Sequence, residues 1–148
     1  MTKLLLSIHV IAAIIAIGPV AVAASRFPAA TRRLLADGAE RDVAELRTLH
    51  RICKAYAVVG IVVPAFGLAT AQSLGVLGDP WLIISITLTA VAAAVLVLLV
   101  LPGQERVLTT TPDTKTPGRL AMHAGLFNLL WATVTILMIT RPGSTTGA

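Results

Sequence analysis

Apolar residues along this chain fall into four unbroken runs, Leu4 to Ser25, Ala55 to Leu77, Trp81 to Leu101 and Leu120 to Thr140. None contains an Asp, Glu, Lys or Arg. Each run matches the ~20 residues that a helix needs to cross a ~30 Å hydrocarbon layer. In that layer a helix satisfies its own backbone hydrogen bonds, whereas an irregular segment leaves them open. The pattern therefore predicts an all-α integral membrane protein, a four-helix bundle whose spans cover about 4–25, 55–77, 81–101 and 120–140. With the connecting segments 26–54 and 102–119, the four spans form one transmembrane domain over residues 1–148.

The polar stretches refine this outline. Asp37 and Glu40 have capping-box spacing, with Asp as N-cap and Glu three residues on. Ala39, Val43, Leu46 and Leu49 then recur every three or four residues, which is one face of a helix. This predicts an amphipathic cytoplasmic helix leading into the second span. Its ordinary role is a solvated extension. Its sharper role is a partner-docking face that uses Arg41, Glu45 and Arg47. Pro19 and Pro64 each remove a backbone donor inside a span and predict kinks. Gly60, Gly67 and Ala71, and likewise Ala121 and Gly125, have the spacing that lets helices approach closely. Gly78-Asp79-Pro80 predicts a short turn, and Thr109 to Gly118 a second polar loop.

Composition agrees with the pattern. Hydrophobic residues make up 56%, charged residues 13%, and mean hydropathy is +0.87. A soluble domain carries ~25% charged residues, and four spans leave no room for one here. The net charge of +5 is explained by loops that face cytosol and anionic lipid, not by nucleic acid. Seven basic residues lie between spans one and two, and three between spans three and four. Lys3 and Arg141 alone lie at the opposite ends of the spans. Cytoplasmic loops carry the Lys and Arg excess, so both termini are expected outside. Lys3, the apolar stretch and Ala21-Val22-Ala23 imitate a signal peptide. The stretch exceeds the ~7–15 residues of a signal core, and cleavage would leave seven basic residues outside, so the segment is expected to be retained. Nine Arg against three Lys, with abundant Ala and Val, fits a bacterial protein of high-GC composition, placed in the cytoplasmic (inner) membrane. Cys53 has no partner for an internal disulfide.

Candidate chemistry is sparse. His9 lies about 7–8 Å inside the outer boundary at ~1.5 Å per residue, where an ionisable residue is a functional candidate by default. Thr70, Gln72, Ser85, Thr87, Thr133 and Thr135 fall at similar depth, so His9, Thr70, Gln72, Thr87 and Thr135 define a candidate intramembrane polar site. The ordinary alternative has His9 bonding one of them while the hydroxyls bond back to their own helices. His50 and His123 both fall near the inner interface. Paired imidazoles on facing helices are the usual b-type haem arrangement, and an interfacial snorkelling His50 is the plainer reading. No span holds a carboxylate, which argues against an ion-coupled pump. Neither a phosphate loop nor a metal-binding cysteine pair is present. Asn128 suits a helix–helix hydrogen bond. Trp81 and Tyr56 suit interfacial anchors, and Trp131 suits packing.

Leu6-Ser7-Ile8-His9-Val10-Ile11-Ala12-Ala13, the Gly18-Pro19 step, Leu49-His50-Arg51 and the tail from Arg141 to Ala148 carry a resemblance to the predicted integral membrane proteins of domain-of-unknown-function family 2269. The resemblance covers nearly the whole chain and brings no settled activity. The start of span one also resembles small four-helix copper-resistance and haem-handling membrane proteins, without their Trp-x-Gly-Gly step. The leading expectation is a non-catalytic, multi-pass accessory subunit of a larger envelope complex, such as a lipid transporter or respiratory enzyme, with no cofactor. The alternative is a b-type haem or quinone-linked redox protein that uses His50 and His123.

Overall fold

The computed structural model describes residues 1–143, and among them every regular element is helical. The helices are α1 (Thr2–Asp37), α2 (Glu40–Val59), α3 (Val62–Leu74), α4 (Pro80–Val95), α5 (Leu101–Thr109) and α6 (Thr116–Thr140). A π-helical turn, Leu96–Val100, joins α4 to α5. Counted across their interruptions, four helices are long and apolar enough to cross a membrane: Thr2–Asp37, Glu40–Leu74, Pro80–Thr109 and Thr116–Thr140. Ser144 to Ala148, the end of the tail that carries part of the family resemblance, lie outside the described residues.

Helix α1 does not stop at Ser25. It runs twelve residues further, to Asp37, because Phe27 and Ala30 are fully buried and keep the helix packed. Thr31 Oγ1 bonds the Phe27 carbonyl at 2.9 Å. The turn comes at Gly38, whose left-handed φ of 62° suits a residue without Cβ, and its N–H donates to the Leu34 carbonyl. The predicted capping box is thus absent. Asp37 is the last residue of α1, Ala39 is the N-cap of α2, and no side chain caps that end. Segment 26–54 is a helical hairpin rather than a loop followed by a helix.

Two prolines explain the other breaks. Pro64 cannot donate to the Gly60 carbonyl, and its ring crowds that oxygen. The chain answers with a turn at Gly60-Ile61, where the Gly60 carbonyl accepts from Val63 N at 3.2 Å. The π turn ends two residues before Pro102, and a π turn absorbs a ladder mismatch without ending the helix. The predicted connecting segment 102–119 therefore begins as helix α5. Ahead of α6, Asp113 Oδ1 accepts from Lys115 N at 3.0 Å and from Thr116 Oγ1 at 2.7 Å.

Helix α1 packs against α2, α3 and α6; α4 packs against α6, and α5 against α2. The larger core joins Val20, Ala23, Ala24 and Phe27 of α1 to Leu46, Leu49 and Cys53 of α2, with Val95, Val100 and Phe127 from the other helices. Leu46 and Leu49 of the apolar stripe of α2 are taken up here, while Ala39 and Val43 are half-buried. A smaller core at the opposite end holds Ala71, Trp81 and Leu82. Trp81 is buried there, its Nε1–H donates to Asp79 Oδ2 at 2.9 Å, and Arg141 sits 5.7 Å from its ring centre. It is a packed side chain with a polar tip. Ala121 and Gly125 are not buried against another helix among the described residues. Both are exposed, and a Cβ on Gly125 would have nothing within 4 Å. The inward face of α6 is carried by Leu120, Ala124 and Phe127.

Candidate functional site at the basic end

The two polar segments meet at one end of the molecule. Leu34 and Leu35 of α1 and Val107 to Pro112 line a common cleft there, and α5 lies on α2. At the other end Thr2 Oγ1 and Ser73 Oγ are 2.6 Å apart. The uneven distribution of charge along the sequence is therefore an uneven distribution in space.

Within the hairpin, two arginines of α1 are neutralised by two carboxylates of α2. Arg26 reaches Glu45 Oε1 at 3.1 Å. Arg33 bonds Glu45 Oε2 and, at 3.3 Å, Asp42 Oδ1. Asp42 is 2% exposed, and its Oδ2 has no hydrogen-bond partner. The Arg26 guanidinium, assisted by Arg33, holds the Glu45 carboxyl below the usual carboxylate range, against the opposing pull of burial. Glu45 raises the Arg33 guanidinium in turn. Glu45 is therefore spent inside the molecule and does not stand free beside Arg41 and Arg47, which are exposed.

Gln104 is the residue that sequence reading missed. It falls in the predicted connecting segment 102–119, yet the continuous helix carries it inward until it is 1% exposed. Both ends of its amide are used. Its Oε1 lies 3.0 Å from His50 Nδ1, and its Nε2 donates to Cys53 Sγ at 3.5 Å. A side-chain carbonyl can only accept, so Nδ1 of His50 carries the proton. His50 Nε2 makes no hydrogen bond within the described residues. A hint was present in the sequence: Gln104 and Val107 are spaced as one helical face.

His50 lines a groove of about 360 Å³ with Arg47, Arg51, Lys54, Ala55 and Leu108. Positions 47, 50, 51 and 54 are one face of α2. The three ion pairs found among the described residues use Arg26 and Arg33, not the cations of this groove.

The remaining candidates are scattered. His123 Nδ1 is buried without a partner, as are Trp131 Nε1 and Asn128 Oδ1, all on α6. Asn128 Nδ2 donates to Ser25 Oγ at 2.9 Å, the helix–helix bond expected of it. His9 bonds none of the predicted polar layer. Its Nδ1 lies 2.9 Å from the Val63 carbonyl, and its ring fills the space over Gly67, where a Cβ would sit 2.9 Å from Cε1. Thr70, Ser85, Thr87, Thr133 and Thr135 each bond a carbonyl four residues back in their own helix. Gln72, Thr87 and Thr135 are exposed, so no layer gathers around His9. Among the described residues no three His, Cys, Asp or Glu side chains are placed to hold a metal ion. Comparison with family models, with curated proteins and with solved structures found no match for this chain.

Proposed function

We propose that this chain is a four-span protein of a bacterial cytoplasmic membrane, with both termini outside and the basic end inside, that serves as an accessory subunit of a larger envelope complex. A lipid transporter or a respiratory enzyme is a suitable host. Large apolar side chains such as Ile14, Val58, Leu98, Leu129 and Ile139 face outward along the helices. Water tolerates contiguous apolar patches of only a few hundred Å², while lipid takes such faces as they are.

The observation that carries the subunit reading is the outward face of α6. Ala121 and Gly125 stand four apart, both exposed, with open space over Gly125, and small residues at that interval let a second helix come close. No helix among the described residues covers Gly125. The exposed Arg41 and Arg47 border the same reading on the cytoplasmic side. Affinity purification from native membranes in mild detergent, followed by mass spectrometry, should recover a larger assembly. Gly125→Leu should release it without changing helix content. Recovery of the chain alone in several mild detergents counts against the reading. For topology, a cysteine at Lys3 in a Cys53→Ala background should react with an impermeant maleimide in intact cells. Reaction only after permeabilisation overturns the orientation.

A second reading, a b-type haem or quinone-linked redox protein, has one specific observation in its favour. The Gln104 amide holds His50 Nδ1–H and so leaves Nε2 as the lone-pair nitrogen, the arrangement typical of a ligating histidine. A Soret band in the purified protein, lost on His50→Ala or His123→Ala, would replace the subunit reading with this one.

A further inference from the structure

We infer that the groove between α2 and α5 binds the phosphate headgroup of an anionic phospholipid from the inner leaflet. This rests on the membrane reading above and names a ligand that the subunit reading does not.

The first support is position. From Arg47 to Lys54 the helix advances about 10 Å at ~1.5 Å per residue. The charge-free run begins one residue later, at Ala55. The headgroup region occupies roughly 5–7 Å on each side of the hydrocarbon core, so the stripe lies across it. Any polar group bound here sits at headgroup level.

The second is charge. Arg26 and Arg33, one helix away, are matched by Glu45 and Asp42. Arg47, Arg51 and Lys54 have no ion pair or side-chain hydrogen bond within the described residues, and all three are exposed. Three of the cations left over from the internal pairing, Arg47, Arg51 and Lys54, thus share one face of α2. Arginine forks suit phosphate oxygens, and lysine adds a point charge.

The third is shape. Gln104 holds His50 in place from behind, so one wall is preformed. Ala55, Leu108 and the carbon stems of the basic side chains make the wall of the groove almost wholly apolar. A free phosphate would use the cations and gain nothing from Leu108. A phospholipid uses both, with its phosphate on the basic stripe and its glycerol and first methylenes against Ala55 and Leu108.

The test uses the full chain purified in dodecyl maltoside, with lipid occupancy read by native mass spectrometry. Dioleoyl phosphatidylglycerol should bind at one copy per chain in preference to dioleoyl phosphatidylcholine. A basic residue at an anionic surface contributes about 5-fold in affinity, so R47Q/R51Q/K54Q should lose on the order of 100-fold. Neutralising three exposed cations outside the groove, R32Q/R41Q/K115Q, should change affinity by only a few-fold, and Leu108→Ala should weaken the lipid. If the triple variant does not fold, R51Q and K54Q singly should each lose about 5-fold. Equal occupancy by the two lipids overturns the proposal. So does an equal loss in both triple variants, which would show diffuse attraction. Displacement of the lipid by inorganic phosphate or glycerol 3-phosphate at similar concentration would assign the groove to a soluble anion instead. Resistance to alkaline carbonate extraction reports the membrane reading separately. A chain that resists extraction but does not discriminate between the lipids refutes the groove alone.

Discussion

The contact between His9 and Gly67 should behave as a coupled pair. Side chains on a helix cover the turn on their N-terminal side, so the missing side chain at Gly67 uncovers the Val63 carbonyl one turn back. His9 takes that opening, with its ring over Gly67 and Nδ1 2.9 Å from the carbonyl oxygen. The tie matters because α1 has no buried residue before Ala16. Replacing Gly67 by Ala favours the helix by roughly 0.5–1 kcal/mol. The new Cβ would sit 2.9 Å from Cε1 and 3.2 Å from Nδ1 of His9, so the ring must leave. Its interhelical bond is worth about 0.6 kcal/mol and at most about 1.7, and the overpacking adds ~1–3 kcal/mol where the ring cannot swing clear. Gly67→Ala should therefore destabilise the protein by ~1 kcal/mol. In a His9→Ala background the clash is gone and the same change should stabilise by about 0.5 kcal/mol. Unfolding by SDS in mixed micelles, followed by far-UV circular dichroism, gives the four stabilities of the cycle. A coupling of about 1–2 kcal/mol is expected. Additive effects, within ~0.3 kcal/mol, would refute the contact and with it the account of why a glycine stands at position 67.

Gln104→Ala removes a buried amide from both of its partners, His50 and Cys53, and leaves a void. It should cost about 2–3 kcal/mol, read in the same micelle assay; Gln104→Met, which keeps the volume, should cost less. Glu45 should shape the acid limb. Its carboxyl titrates below the usual range because of Arg26 and Arg33, so its contribution is complete above the unfolded value of ~4.3 and is lost as pH falls through the depressed one. The stability gap between the native chain and Glu45→Gln should be constant above about pH 5 and close below it; a gap independent of pH would contradict this. Trp81→Phe keeps the ring packing but drops the bond to Asp79, and a modest loss, about 1 kcal/mol, should appear on unfolding. Asn128→Ala should cost about 0.6 kcal/mol, the typical size of a hydrogen bond between membrane helices.

The four long apolar helices could be read from the sequence, because uninterrupted runs without charge need no tertiary information to be recognised. The grouping of basic residues in two segments was equally plain, and the fold brings those segments to one end. The helix limits were less legible. Asp37 and Glu40 had capping-box spacing, but Gly38 between them could turn left-handed and ended α1 after Asp37. The second connecting segment was expected to begin at Pro102, but the π turn before it let the helix continue. Partner choice could not be read locally at all. His9 and Gly67 were each conspicuous, yet only the packing of α1 on α3 paired them and left Thr70, Thr87 and Thr135 to their own helices. Ala121 and Gly125 had the spacing of a packed face, and only the rotation of α6 about its axis turned them outward. Composition and periodicity decide which segments form long apolar helices, since that depends on each segment's own side chains. Which faces meet, which carboxylate neutralises which arginine, and which cations remain free depend on residues about 10 to 100 positions apart, so only the folded chain decides them.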